Sequence, residues 1–224
     1  MSSDLVFDIQ TLVTPGGMDE CVHGSPQDGA AEDPAGIVDR LSLSPLTARI
    51  LTVAMLNPAT GRGKVLCEDP LSSPWEAEGG RIQIVPATEA AMLTEFWETV
   101  ARFRRLVTFN GRSFDSPFLL LRSALLGVVP SRNLIPYRYS ARDHCDLLDQ
   151  LTFYGAMKKC TLESYCRGFG IPLCEPERPD IPRLAGEGRY REIALCAART
   201  ARATGDLYLR WEQYLLPVRI APGS

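Results

Sequence analysis

An α/β domain built on a mixed sheet is predicted by three features of the 224-residue sequence. Short apolar runs rich in β-formers occupy its first third, and two of them are joined by turn chemistry. Apolar residues spaced three and four apart then mark helices. Strands and helices alternate through the remainder with no internal repeat and no domain linker. A hairpin followed by alternating helices and strands is the pattern of one α/β domain with a mixed sheet.

The elements follow in order. Leu5-Val6-Phe7-Asp8-Ile9 reads as a buried first strand ending near Asp8. From about residue 14 to 40 the chain is rich in Gly, Pro and acids (Asp19, Glu20, Asp28, Glu32, Asp33), the composition of an exposed acidic insertion within a single domain spanning 1–224. Arg49 to Leu56 forms a second strand, Asn57-Pro58-Ala59-Thr60-Gly61 a turn, and Lys64 to Cys67 the return strand of a hairpin. Thr88 caps a helix carrying Met92, Leu93, Phe96, Trp97, Val100 and Phe103 at helical spacing. Leu106 to Phe109 is a strand broken by Asn110-Gly111, and a helix opens near Ser116-Pro117 with proline in its first turn. Cys145 to Leu148 reads as a short strand or strand end. Thr161-Leu162-Glu163 opens a small helix ending at Gly168 or Gly170. After a Pro-rich connection from Pro172 to Pro182, a long Ala- and Arg-rich helix runs from about Tyr190 to Leu215.

Composition narrows the function classes. A hydrophobic content of 45% with 23% charged residues is that of a globular protein and excludes wholesale disorder or a fibrous chain. No apolar run approaches the ~20 residues that cross a bilayer, and Met1-Ser2-Ser3-Asp4 has neither the basic nor the apolar region of a secretory signal. The expectation is a cytoplasmic protein without a membrane partner. The seven cysteines are an odd number without a Cys-x-x-Cys pair, and only His23 and His144 could join them, so buried thiols are expected rather than disulfides or a zinc site. With a net charge of −3, any nucleic-acid role must rest on a local basic patch.

Two carboxylates stand at the ends of buried strands. Asp8 lies in Phe7-Asp8-Ile9-Gln10-Thr11, and Asp115 closes Asn110-Gly111-Arg112-Ser113-Phe114-Asp115. Singly, each has an ordinary structural explanation, as a strand-end acid or a helix N-cap. Together, in this order and spacing, they resemble the DEDD superfamily of 3′–5′ exonucleases, in the branch similar to the proofreading exonuclease domain of family B DNA polymerases. The resemblance runs from Leu5 to about Tyr214 and is most specific at Asn110 to Asp115, which matches an Asn-x-x-x-Phe-Asp motif. Asp146-Leu147, Phe153-Tyr154-Gly155 and Thr161-Leu162-Glu163 are similar to the segment that follows it. What the resemblance implies is an RNase H-like fold, with a mixed sheet of about five strands flanked by helices. It also implies a site at which four carboxylates hold two Mg²⁺ or Mn²⁺ ions that activate water on a phosphodiester.

The sequence departs from that pattern. The family's Asp-x-Glu is Asp8-Ile9-Gln10 here, and its Tyr-x-x-x-Asp aligns on Cys196 and Thr200. A neutral ligand in place of an anionic one forfeits several kcal/mol beside a divalent ion. The reading is therefore a degenerate exonuclease. Asp8 and Asp115 are its residual catalytic and metal positions, binding Mg²⁺ or Mn²⁺ weakly or not at all, and Gln10, Cys196 and Thr200 are the lost ones. Between Ala101 and Arg142, eight arginines face one acid, Asp115, with Tyr137 and Tyr139 interleaved. Rings beside cations are a single-strand binding mode, so single-stranded or 3′-ended nucleic acid is the expected partner. Asn110, Arg112 and Phe114 are the candidate contacts, with Arg112 the first for phosphate. Two alternatives stay open: an active metal-dependent exonuclease, and a structural or regulatory subunit with a protein partner.

Overall fold

The computed structural model describes residues 4–16, 41–69, 73–172 and 180–216. The expected acidic insertion falls almost wholly outside the described residues. Seven strands form one sheet: β1 (Asp4–Val13), β2 (Ala48–Asn57), β3 (Arg62–Cys67), β4 (Trp75–Ala77), β5 (Ile82–Pro86), β6 (Arg105–Thr108) and β7 (His144–Asp146). Their spatial order is β4-β5-β3-β2-β1-β6-β7. The helices are α1 (Glu89–Val100), α2 (Asp115–Leu125), α3 (Leu147–Leu151), α4 (Leu162–Phe169), α5 (Ile181–Gly186) and α6 (Tyr190–Tyr214). The mixed sheet is as expected, with β1–β2–β3 antiparallel and β1–β6–β7 parallel. It has seven strands where about five were expected. The two extra ones, β4 and β5, are only three and five residues long and lie between Trp75 and Pro86 among Glu, Gly and Pro. Helix α5, also not expected, starts at the end of the Pro-rich connection, where Asp180 caps it and Pro182 stands in its first turn.

The hairpin turn forms because the Asn57 side chain accepts from the amides of Ala59 (3.0 Å) and Thr60 (3.2 Å) while Gly61 takes φ 64°. Strand alternation then splits the core into two layers. Leu5, Phe7 and Ile9 face α1 and α2, in a cluster with Phe96, Trp97 and Phe118. Val6, Ala54 and Leu56 face α6, in a cluster with Ala197, Ala201 and Tyr208. The small residues of α6 let its backbone approach the sheet. A Cβ on Gly205 would lie 3.1 Å from a Leu56 methyl.

A buried polar network fastens the far end of α6. Tyr208, fully buried, donates its hydroxyl to Asp4 (2.7 Å) and accepts from Arg105 (2.6 Å), which also pairs with Glu212 (3.5 Å). Asp4 and Arg105 open β1 and β6, so this network fixes where α6 crosses both strands.

Candidate functional site

Parallel pairing of β1 with β6 stops at Val6 and Val107, and beyond that point the edge of β1 is open. Its first exposed donor, the Ile9 amide, is taken by Asp115 Oδ1 at 2.9 Å. The two strand-end carboxylates are thereby brought together, since Asp8 precedes Ile9 on the same strand. Asp115 reaches that point because the chain after β6 reverses sharply. Asn110 adopts φ 62°, and a Cβ on Gly111 would collide with the Thr108 side chain, 2.5 Å away. This close approach explains why glycine stands at that position.

Asp146 holds the reversal in shape. Its Oδ1 accepts from the Asn110 amide (2.9 Å) and its Oδ2 from the Arg112 amide (2.9 Å), while Oδ1 also caps α3 through Leu148 (3.0 Å). Sequence reasoning placed Asp146 in a resembling segment without this role. The available signal is its position directly before the first turn of a helix, where aspartate accepts amide protons. His144 fastens the same corner. Its Nδ1 meets a carbonyl, Leu134 O at 2.8 Å, so that nitrogen carries the proton and Nε2 accepts from Thr108 at 2.8 Å.

The third part of the site comes from α6, which runs antiparallel to β1. At one end Tyr208 is bonded to Asp4, and at the other Leu12 packs on the cluster that contains Ile193. Between those anchors the strand advances eight residues and the helix fifteen, close to the ratio set by rises of about 3.3 and 1.5 Å per residue. Asp8 lies half-way, level with about residue 200. Gln10 lies three-quarters of the way, level with about residue 197. Alternation puts Asp8 and Gln10 on the face of Val6, which is the α6 face. The strand therefore presents Asp8 and Gln10 at the levels of Thr200 and Cys196, and Cys196 is buried.

The electrostatics are those of carboxylates without a counter-charge. Burial, and secondarily the charge of Asp115, holds Asp8 well above the usual carboxylate range. Burial raises Asp115 to about 7 against the pull of the Ile9 amide, with Asp146 adding to the rise. Gln10 Oε1 is buried without a hydrogen-bond partner, and so is Thr52 Oγ1 on the directly paired residue of β2. Ser116 Oγ, beside Asp115, is a third such atom. Among the described residues no group of three or more His, Cys, Asp and Glu side chains is arranged to hold a metal ion.

The residues of the Asn110–Asp115 loop are engaged internally. Arg112 donates from Nη1 to Pro136 O (2.7 Å) and from Nη2 to His144 O (3.2 Å), so its guanidinium clamps the 134–144 segment and is not directed at an outside phosphate. Phe114 packs on Phe118 with tilted rings, 5.5 Å between ring centres, and joins the core beneath α1 and α2. The basic block around them is largely structural as well. Arg105 lies in the Tyr208 network. Arg122 pairs with Glu89 (2.7 Å), Arg138 with Asp149 (2.6 Å), and Arg132 donates to the carbonyls that follow α1. Arg102, Arg104 and Arg142 remain without a side-chain partner among the described residues.

Comparison with known proteins agrees with this architecture. A family B DNA polymerase from the hyperthermophilic archaeon Pyrobaculum calidifontis superposes with a TM-score of 0.58 at 20% identity, over 95% of this chain and 25% of that one. The chain thus spans about a quarter of the polymerase, and the likeness is one of fold. No curated protein sequence matches the chain. No helix among the described residues is long and apolar enough to cross a membrane. Residues 79–210, more than half of the chain and including Asp115, Cys196 and Thr200, match a family described as predicted 3′–5′ exonucleases related to the exonuclease domain of PolB. On that match, and with the Asp8–Asp115 pair at the open edge of β1, the chain belongs to this family of predicted 3′–5′ exonucleases related to the exonuclease domain of PolB.

Proposed function

We propose that this protein is an exonuclease-like module that binds single-stranded or 3′-ended nucleic acid without cleaving it. One observation carries the reading. The fold brings α6 to the level of Asp8 and Gln10, and what the helix supplies there is Thr200 and Cys196. Two ions about 3.5–4 Å apart need several hard anionic oxygens between and around them. The residues present do not fit that pair. Asp8 and Asp115 are the carboxylates at the centre, one oxygen of Asp115 is engaged by a backbone amide, and Gln10 offers a neutral oxygen that is orphaned and buried. A single Mg²⁺ or Mn²⁺ ion held weakly is the most this donor set supports.

The loop residues then serve shape. Asp146, Arg112 and His144 hold the reversal that carries Asp115, so these are positioning residues for that carboxylate. The deciding experiment is a 3′-end degradation assay on labelled single strands with Mg²⁺ and with Mn²⁺, run beside a binding titration across salt. The expected result is binding that weakens with salt and no shortening of the strand. Steady shortening abolished by Asp115→Asn would establish an active nuclease with an unorthodox site. One observation favours a second reading, a subunit for protein contacts: five of the eight arginines between residues 101 and 142 are engaged within the fold. Absence of binding at low salt would transfer the assignment there.

A further inference from the structure

At the opposite end of the parallel strands from Asp8 and Asp115, a cavity of about 390 Å³ opens between α3, the start of β6 and the C-terminal end of α6. Asp4 and Asp8 are four residues apart on β1, so the two places are separated by about 13 Å or more. Tyr139, Arg142, Gln150, Tyr154 and Trp211 line the cavity, and no acidic residue does so among the described residues. We propose that it holds one nucleotide unit of a single-stranded nucleic acid, with the base against the tyrosines and the phosphate on Arg142. This rests on the nucleic-acid reading above and gives that reading a second contact, remote from the degenerate centre.

Three observations support it. The first is a run of aromatic rings that contributes little to the core. Tyr137 and Tyr139 are 73% and 62% exposed, with ring centres 5.7 Å apart, and Tyr139 lies 4.9 Å from Tyr154. The Gln150 side-chain amide donates to the Tyr154 hydroxyl at 2.8 Å, which fixes one end of the run. Rings held in place at the surface are a stacking platform, and every base has a face to stack. The second is Trp211, 1% exposed, whose indole N–H has no acceptor. A buried donor left unpaired costs about 1–3 kcal/mol, and a base or sugar oxygen entering the cavity would satisfy it. The third is charge. Arg105 is already balanced by Asp4 and Glu212, whereas the Arg142 guanidinium is exposed and has no partner among the described residues. An aromatic ligand carrying hydrogen-bond acceptors and an anion matches all three, and a nucleotide is that combination.

The test is fluorescence anisotropy with labelled oligo(dT) and oligo(U) strands of about a dozen nucleotides, at low and moderate salt. The proteins compared are the full chain and its Tyr139→Ala, Arg142→Ala and Trp211→Phe variants. Tyr139 and Arg142 are exposed, so those two should fold as the parent does, and circular dichroism checks it. Loss of one stacked base should weaken binding about fivefold or more in Tyr139→Ala. Arg142→Ala should also shallow the salt dependence by about the share of one phosphate. Photocrosslinking of a thio-substituted strand should label peptides containing Tyr139 or Tyr154. Undiminished affinity in both exposed variants, with no label there, overturns the cavity assignment while the nucleic-acid reading stands. No binding by the parent chain removes both. A nucleoside monophosphate binding as tightly as the strands would replace the strand with a free nucleotide as the occupant.

Discussion

Replacing Asp115 by asparagine should stabilise the protein at alkaline pH, because its carboxylate is buried beside another and has no cation. Asparagine has nearly the same shape, and its amide oxygen can keep the Ile9 amide bond seen at 2.9 Å. What it removes is the charge. Asp115 is held at about 7 against an ordinary 3.8, so the folded state binds a proton that the unfolded chain releases. For a carboxyl raised in this way, stability is unaffected below pH 4, declines as pH climbs from 4 to 7, and is constant above that. About three units at 1.36 kcal/mol each give a ceiling of about 4 kcal/mol. The new amide N–H₂ must find acceptors in a site 4% exposed, at a cost of about 1–2 kcal/mol. The expected gain above pH 7 is therefore roughly 2–3 kcal/mol.

The assay is urea unfolding of parent and variant at pH 5, 6, 7 and 8 with EDTA present, comparing midpoints at constant slope. The curves should differ little or favour the parent at pH 5 and should separate progressively in favour of asparagine toward pH 8. Asp8 strengthens the effect, because part of its own rise comes from the Asp115 charge and would vanish in the variant. An Asp115→Asn protein less stable than the parent at pH 8 would refute the reasoning, since the carboxylate would then have an unseen favourable partner. The same conclusion would follow if millimolar Mg²⁺ or Mn²⁺ stabilised the parent strongly at pH 8, because a tightly held ion would supply that partner.

The remaining predictions concern the rest of the site and its supports. Gln10→Glu with Thr200→Asp should produce measurable Mn²⁺-dependent degradation of single strands, raised further by Cys196→Tyr, whereas each single change should do little, because the four carboxylates act as a unit; an unmodified chain as active as the triple variant would refute this. Burial holds the His144 imidazole at about 4 against an ordinary 6.5, so the folded state excludes a proton that the unfolded state takes up, and stability is lost as pH falls from 6.5 to 4. The opposing slopes of Asp115 and Asp8 should mask this in the parent, and removing both carboxylates with Asp8→Asn and Asp115→Asn should expose a fall of up to about 1.4 kcal/mol per pH unit in the same titration. Tyr208→Phe should lower stability by about 1–3 kcal/mol, by leaving Asp4 and Arg105 underpaired; an unchanged urea midpoint would show that the network does not fasten α6. Gly111→Ala should push the loop off Thr108 and destabilise by at least about 1–3 kcal/mol, with a normal melting profile refuting the close approach.

Much of this was legible in the sequence where a residue's local neighbours decide its role. Thr88, Thr161 and the Asn57–Gly61 turn behave as their chemistry dictates, because caps and turns are settled within four residues. The meeting of Asp8 and Asp115 was legible through motif order. The fate of the arginines was not. Arg112, Arg122 and Arg132 engage carbonyls or acids 24 to 77 residues away in the chain, and nothing in the local sequence of a cation names a partner so distant. The same holds for β4 and β5, since β5 finds its partner in β3 and β4 in β5, pairings that local sequence does not name.

On the proposed reading, the geometry accounts for how a nuclease fold would persist without a metal site. The supports of the site are independent of any ion: Asp146 is satisfied by three amides, His144 by a carbonyl and a hydroxyl, and α6 is anchored through Tyr208 and a face of small residues. The carboxylates themselves work against folding, since burial and mutual repulsion raise Asp8 and Asp115 together. Each further anion at positions 10 and 200 would add to that repulsion unless a divalent ion balanced it. Without such an ion, neutral Gln10 and Thr200 are the more stable choice. Restoring the acids should therefore lower stability in EDTA and recover it with Mn²⁺. A restored variant that is as stable as the parent in EDTA would show that positions 10 and 200 do not converge on Asp8 and Asp115.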